Sequence, residues 1–298
     1  MRSGINRIVL MAAIVFSAFV ACDEIDEPLV IIDQQTTTDG LLDDNYVKDS
    51  VMVTTKHVLL EDFTGHKCVN CPEAAIAAHD LAEALNHKLI IYSVHAGYYA
   101  TPDETGDYTA DFRCPEGEEL YNDFAAFANP IALIDRVKFN GAVLIGAGNW
   151  EDAVMLELEK ENTVDLKVRN IYYPDLDKIQ ISVTSKFLSA TADPYKLVVY
   201  IVEDGIVSPQ KNNEPAIGPS PDWLNYEHRN IVRTSVNSTY GGFITADGMV
   251  QTGAEYTNHF IFPLNPLWVA ANCNLIAYVY NDVTKEIMQV AELGIKTE

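Results

Sequence analysis

The sequence predicts an α/β domain followed by an all-β antiparallel sandwich. Two observations carry this reading. Between residues 56 and 162, short, compact apolar runs alternate with helical patterns, as in a βαβ unit. Beyond Asn162 the apolar residues recur at period two, in longer runs separated by clusters of Pro, Gly, Asn and Asp. That is the pattern of antiparallel strands with one face covered.

The elements follow in order. Arg2 and Arg7 open the chain, no acidic residue precedes Asp23, and Ile8 to Ala21 is apolar. The run is shorter than the roughly 20 apolar residues that a permanent spanning helix needs. A charged start, a short apolar middle and a small residue before the cut form a secretory signal over residues 1–21. Phe19-Val20-Ala21-Cys22 resembles a bacterial lipobox. The resemblance implies that Cys22 is lipidated, with palmitate among its acyl chains, and ties the protein to a membrane. Residues 22–55 are polar and acidic, with Asp23, Glu24, Asp26, Glu27, Asp39, Asp43 and Asp44, and read as a flexible tether.

Order is expected from Lys56. His57 to Phe63 reads as a buried strand that ends at Thr64-Gly65. Cys68-Val69-Asn70-Cys71 follows, and then Pro72, well placed in a first helical turn because its missing N–H has no partner there. Cys71, Ala75, Ala78, Ala82 and Leu85 mark one helical face. Leu89 to Val94 is a second buried strand. A loop from His95 to Pro115 leads to a helix over Glu116–Ala128. Asn129-Pro130 interrupts, and Ile131–Asp135 and Lys138–Ile145 read as two strands turning at Asn140-Gly141. A last helix covers Trp150–Lys160, so the order over 56–162 is β-α-β-α-β-β-α. In the second domain, 163–298, strands are expected at Val164–Tyr172, Lys178–Phe187, Lys196–Val202, Tyr256–Phe262, Leu275–Tyr280 and Glu286–Glu292. Asp204 to Glu227, rich in Pro, Asn and Gly and carrying Trp223 and Tyr226, reads as a long loop, a candidate contact surface.

Charge narrows the function. The chain has 20 Lys+Arg against 43 Asp+Glu, a net charge of −23. Such a surface repels nucleic acid, which is excluded as a partner. No phosphate-binding loop, nucleophile elbow, calcium loop or second cysteine pair stands in the sequence. No metal site and no cofactor are therefore expected.

The chemistry lies in the cysteines. An exported chain meets an oxidising compartment, where disulfides persist. With Cys22 lipidated, Cys68 and Cys71 are the one pair close in sequence; Cys114 and Cys273 stand apart. A helix N-terminus presents unpaired N–H groups and a partial positive charge, which lowers the pKa of a thiol placed there. Cys68 is expected as the exposed attacking thiol and Cys71, one turn on, as the resolving one. His66, Lys67 and His95 are candidates for tuning the pair.

The element order with Cys-x-x-Cys between the first strand and its helix resembles the thioredoxin fold. That resemblance implies a cis-proline against the disulfide, a place that Pro130 fills, and a thiol or disulfide of another protein as partner. Lys67 and the Val69-Asn70 dipeptide depart from the usual residues there. The chain as a whole resembles a Bacteroidetes family of outer-membrane lipoproteins of the twenty-eight-kilodalton type. The carrying motifs are Glu61 to Pro72, Val94-His95-Ala96-Gly97, Tyr226 to Arg233, and Ala277 to Tyr280 with Met288-Gln289-Val290. The resemblance implies a thioredoxin-like domain joined to an immunoglobulin-like β-sandwich, held at the cell surface. It leaves open either thiol–disulfide exchange or a non-enzymatic role in adhesion.

Overall fold

In the computed structural model, residues 48–296 are described. The signal segment, Cys22 and the tether up to residue 47 lie outside them. The elements between residues 56 and 162 run in the predicted order: β2 (Val58–Thr64), α1 (Cys71–Ala84), β3 (Leu89–His95), α2 (Pro115–Asp123), β4 (Ile131–Ile134), β5 (Ile145–Gly146) and α3 (Trp150–Leu158). β2 and β3 are parallel, as a helical crossover requires, while β4 and β5 add antiparallel. Beyond them come β6 (Val164–Tyr173), β7 (Lys178–Phe187), β8 (Tyr195–Glu203), β9 (Ile206–Lys211), β10 (Asp222–His228), β11 (Ile231–Ser235), β12 (Gly242–Phe243), β13 (Glu255–Pro263), β14 (Cys273–Asn281) and β15 (Ile287–Gly294).

Four differences from the sequence expectations matter. Lys48–Val53, placed in the tether, is a strand, β1, paired antiparallel with β6. The expected strand over Lys138–Ile145 shrinks to β5, with one isolated bridge between Phe139 and Ala142 around the Asn140-Gly141 turn. The second helix stops at Asp123, and Ala125 takes a positive φ just beyond it. Most consequentially, the expected loop Asp204–Glu227 is a two-stranded hairpin, β9 against β10.

The chain buries three cores on two faces of one long sheet. That sheet has nine strands, in the order β15-β14-β8-β11-β3-β2-β4-β5, with β12 beside β8. It joins strands from before and after residue 163. The seam is narrow: Ile231 of β11 aligns with Ser93 of β3, the Ser93 N–H donates to the Asn230 carbonyl, and the Asn230 amide donates to the Ile91 carbonyl. A second sheet, β1-β6-β7-β13, packs on β8, β14 and β15 to make the sandwich, with Val168, Ile181 and Val183 facing Val199, Leu275 and Ala277. On the same face, over β2, β3 and β4, α1 and α3 cover Val58, Leu60 and Ile91. The opposite face is a single core along the whole sheet, from Leu59 and Phe63 under Leu120 of α2 to Tyr200, Tyr278 and Tyr280. β8 is thus covered on both sides, which is why Leu197 to Val202 reads as a continuous apolar run. β7 has one buried face and alternates strictly.

Candidate functional site

β2 is apolar except for two neighbouring acids, Glu61 and Asp62, both buried. Alternation along the strand sends them to opposite faces. Glu61 enters the core shared by the two halves of the sheet, whereas Asp62 and Thr64 face the side covered by α1. After Thr64 the chain passes Gly65, where an added Cβ would lie 2.5 Å from the Tyr99 backbone, a distance that only glycine allows. The Lys67 N–H donates to the Tyr99 carbonyl at 3.0 Å, and the Cys68 N–H donates to Gly65. α1 then begins at Cys71 with Asn70 as N-cap. Cys68 and Cys71 form a disulfide across this turn. Pro130, with a cis peptide bond, precedes β4; because Phe63 aligns with Ile131, it stands alongside Thr64.

Cys68 is not the exposed thiol expected from sequence. Both cysteines are 2 % exposed. The hairpin β9–β10 packs against the turn that carries them. Buried Gln210 donates through Nε2 to the carbonyls of Cys68 (2.9 Å), Gly65 (3.3 Å) and Lys211 (3.0 Å). The backbone N–H groups of Lys211 and Asn213 donate to His66 (2.8 Å) and Val69 (2.9 Å). The hairpin is therefore clamped along the whole Cys-x-x-Cys segment. Asp222 holds its flank, receiving Tyr108 Oη and Lys211 Nζ.

The other sequence-predicted residues lie around this clamp. Lys67 carries an ion pair with Asp103 at 2.8 Å, both partly exposed. His66 and His95 are buried, as is His228 of β10, which sequence reasoning left inside a longer motif. Their rings surround Phe112, at centroid distances of 6.0, 5.2 and 4.9 Å. His95 also meets His228 edge-on at 5.5 Å. Burial lowers all three pKa values, that of His228 to about 4; repulsion from His228 and His66 adds to it for His95, and repulsion from His66 for His228. The rings are thus neutral at neutral pH. His228 hydrogen-bonds to the backbone of Pro209 and Ser208, and its Nε2 has no partner among the described residues.

A cavity of about 310 Å³ opens between α1 and β10. Cys71, Asp62, His95, His228, Tyr226 and Trp223 line it. Asp62 stood in the sequence only inside the Glu61-to-Pro72 motif, with no role assigned to it. Its signal was present: a carboxylate in a strand that is otherwise mostly apolar, nine residues before Cys71. Burial raises its pKa to about 7. Asp62 Oδ1 and His95 Nδ1 also lack partners among the described residues. Asp62 can therefore exchange a proton near neutrality beside the second cysteine. Cys114 and Cys273 are unlike the pair: both are buried thiols whose pKa burial pushes up to about 12. No group of side chains suited to hold a metal occurs among the described residues.

The His228 ring sets one pH dependence. Its pKa is lower in the folded chain than the ordinary 6.5, so its contribution to stability is complete above pH 6.5 and is lost as pH falls towards 4. At roughly 1.4 kcal/mol per unit of pKa, the loss approaches about 3 kcal/mol. Asp62 acts in the opposite sense: its raised pKa makes its contribution complete at low pH and lost as pH rises through 7. We expect His228→Phe to flatten the fall in stability between pH 6.5 and 4.5 relative to wild type, read from urea midpoints. Equal slopes in the two proteins would refute this assignment.

Comparison with known proteins gives the following. The family model described as outer membrane protein Omp28 matches residues 117–298. Among solved structures, HBP35 of Porphyromonas gingivalis is similar with a TM-score of 0.60 and 18 % identity, over 82 % of this chain and 76 % of that one. A domain of the outer membrane lipoprotein Omp28 from the same organism is similar with a TM-score of 0.29 and 21 % identity, over 45 % of this chain and 88 % of that one. No curated protein matches.

Proposed function

Since the chain belongs to the Omp28 family of outer membrane proteins, we propose that it carries, at that membrane, a thioredoxin-like thiol–disulfide site made of Cys68 and Cys71. In this reading residues 56–162 are the thioredoxin-like domain and residues 163–298 the sandwich, and lipid on Cys22 fixes the chain to the membrane. The observation that carries the redox reading is Asp62, a buried carboxyl titrating near neutrality, in one cavity with Cys71. Exchange chemistry needs a thiolate on one sulfur and a proton acceptor for the other. On reduction Cys68, ahead of the α1 N-terminus, holds the thiolate, and the Cys71 thiol passes its proton to Asp62 when the bond re-forms. In this reading Pro130, whose cis peptide bond precedes β4, lies against the pair.

A second reading, a surface-binding module stapled by a structural disulfide, is favoured by the burial of both cysteines. One experiment separates them. The folded protein is equilibrated in dithiothreitol buffers, then alkylated and weighed. A redox site opens and closes reversibly without unfolding. A staple stays closed until denaturant is added, and that result would remove the redox reading. In the reversible case Asp62→Asn slows re-oxidation of the reduced pair by a small disulfide at neutral pH by about a hundredfold, the usual scale for a lost proton acceptor.

A further inference from the structure

We infer that the cavity beside Cys71 admits a small thiol bearing a free amine, and that this thiol, not a folded protein, is the direct exchange partner of the disulfide. The inference rests on the redox reading above and names its substrate class. Two independent observations carry it.

The first is access. Cys68 is buried, Gln210 bonds its carbonyl, and the carbonyls of His66 and Val69 on either side of it are bonded to the hairpin. A protein substrate would have to displace β9 and β10. Cys71 instead lines a cavity large enough for a few heavy atoms and too narrow for a polypeptide fold.

The second is the chemistry of the lining. Asp62 Oδ1, His95 Nδ1 and His228 Nε2 are polar atoms of residues at most 4 % exposed, and none has a partner among the described residues. A buried polar atom left unpaired is unfavourable, so such a cluster suits a polar guest. The neutral His228 ring accepts a hydrogen bond at Nε2 when Nδ1 carries its proton. Around the same cavity stand Asp80, Glu83 and Glu227, against the single cation Arg229, which pairs with Glu227. Trp223 and Tyr226, in edge contact at 5.1 Å, supply aromatic faces that attract cations. Acceptors, acids and aromatic rings together select an ammonium group and repel a carboxylate.

The step is an exchange. The thiolate of the guest attacks Sγ of Cys71. The disulfide breaks, and its electron pair leaves on Cys68, the better leaving group because its thiolate is the stabilised one. A second guest thiolate then attacks the mixed disulfide on Cys71. The guest disulfide departs, and Cys71 leaves as a thiolate that takes a proton. Two small thiols are oxidised and one protein disulfide is reduced.

The test compares cysteamine, 2-mercaptoethanol and thioglycolate as reductants of the full chain, by alkylation quench, with rates expressed per thiolate. It is run at about 0.15 M salt, where the Debye length of about 8 Å screens the distant charges of an acidic protein. Cysteamine is expected to exceed thioglycolate by about tenfold, the lower end of electrostatic focusing in a charged cleft. Asp80→Lys with Glu83→Lys, both exposed positions on α1, should reverse that order. Cystamine should label Cys71 in a Cys68→Ser variant, located by peptide mass spectrometry. Equal rates per thiolate, an order unmoved by the charge reversal, or no labelling of Cys71 would overturn the inference while leaving the redox reading intact. A disulfide that even dithiothreitol cannot open in the folded chain would remove the redox reading and this inference with it.

Discussion

Replacing Arg136 by methionine is expected to lower stability by about 3–5 kcal/mol, the cost of leaving one member of a buried ion pair without the other. Arg136 follows β4 and is 4 % exposed. Its guanidinium donates to both oxygens of Glu61, at 2.7 and 2.8 Å, and to Tyr278 Oη at 2.9 Å. Tyr92 Oη donates to the same carboxylate. The rings of Phe124, Tyr240, Tyr278 and Tyr280 stand 5.3–6.0 Å from the guanidinium carbon. Glu61 comes from β2 and the tyrosines at 278 and 280 from β14, so this cluster ties together the two halves of the long sheet. Truncation would strand the Glu61 carboxylate in an apolar core. For a chain of this size, 1 kcal/mol is worth roughly 2–4 °C, so the melting temperature should fall by about 6–20 °C. Glu61→Leu combined with Arg136→Met should recover much of the loss, because swapping a whole buried pair for apolar groups is often close to neutral. If the single variant unfolds no sooner than the double one, the pair is not holding the halves together.

The Glu61–Arg136 pair also marks the limit of what could be read from the sequence. Local patterns were sufficient for the helices and most strands. β7 was bounded at both ends because its residues alternate between a core and a solvent face. Asp62 and Glu61 were visible only as part of a motif, since nothing local says that neighbouring acids serve opposite faces, one in a salt bridge and one in a cavity. The joining of the two sheet halves was invisible for a related reason. The pairing of β11 with β3 rests on one aligned residue pair and a few hydrogen bonds around Asn230, and no periodicity encodes it. The hairpin was hidden by its composition. Pro209, Pro215, Pro219 and Pro221 read as breakers, yet pairing runs through Ile206–Lys211 and Asp222–His228 on either side of a bulge. β1 was missed because its first half, Lys48-Asp49-Ser50, continues the polarity of the tether and leaves only three apolar residues, Val51 to Val53, to mark a strand.

On the proposed reading that hidden hairpin governs access to the disulfide, and Gln210→Ala is expected to change this most. Gln210 is 2 % exposed and satisfies three carbonyls, those of Gly65, Cys68 and Lys211. The alanine variant removes these three hydrogen bonds, each worth about 0.5–1.5 kcal/mol net, although the Gly65 and Cys68 carbonyls keep the N–H groups of Cys68 and Cys71. The loss falls on the hairpin, because the carbonyls recover their hydrogen bonds to water when β9 and β10 lift away. Local opening should therefore become easier by some 2–3 kcal/mol, or roughly 30- to 150-fold in population. A folded dithiol protein can attack the disulfide only in the open form, and its rate should rise by the same factor. Cysteamine, which enters beside Cys71, should gain far less. The measurement is the pair of reduction rates in wild type and variant, with amide hydrogen exchange at Lys211 and Asn213 reporting the opening directly. Those two N–H groups bond to His66 and Val69 in the closed hairpin, so their protection should fall in step with the protein-thiol rate. A protein-thiol rate that stays constant while that protection falls would mean that lifting the hairpin does not expose the disulfide. The burial of Cys68 would then have to be ascribed to the turn itself and not to β9 and β10.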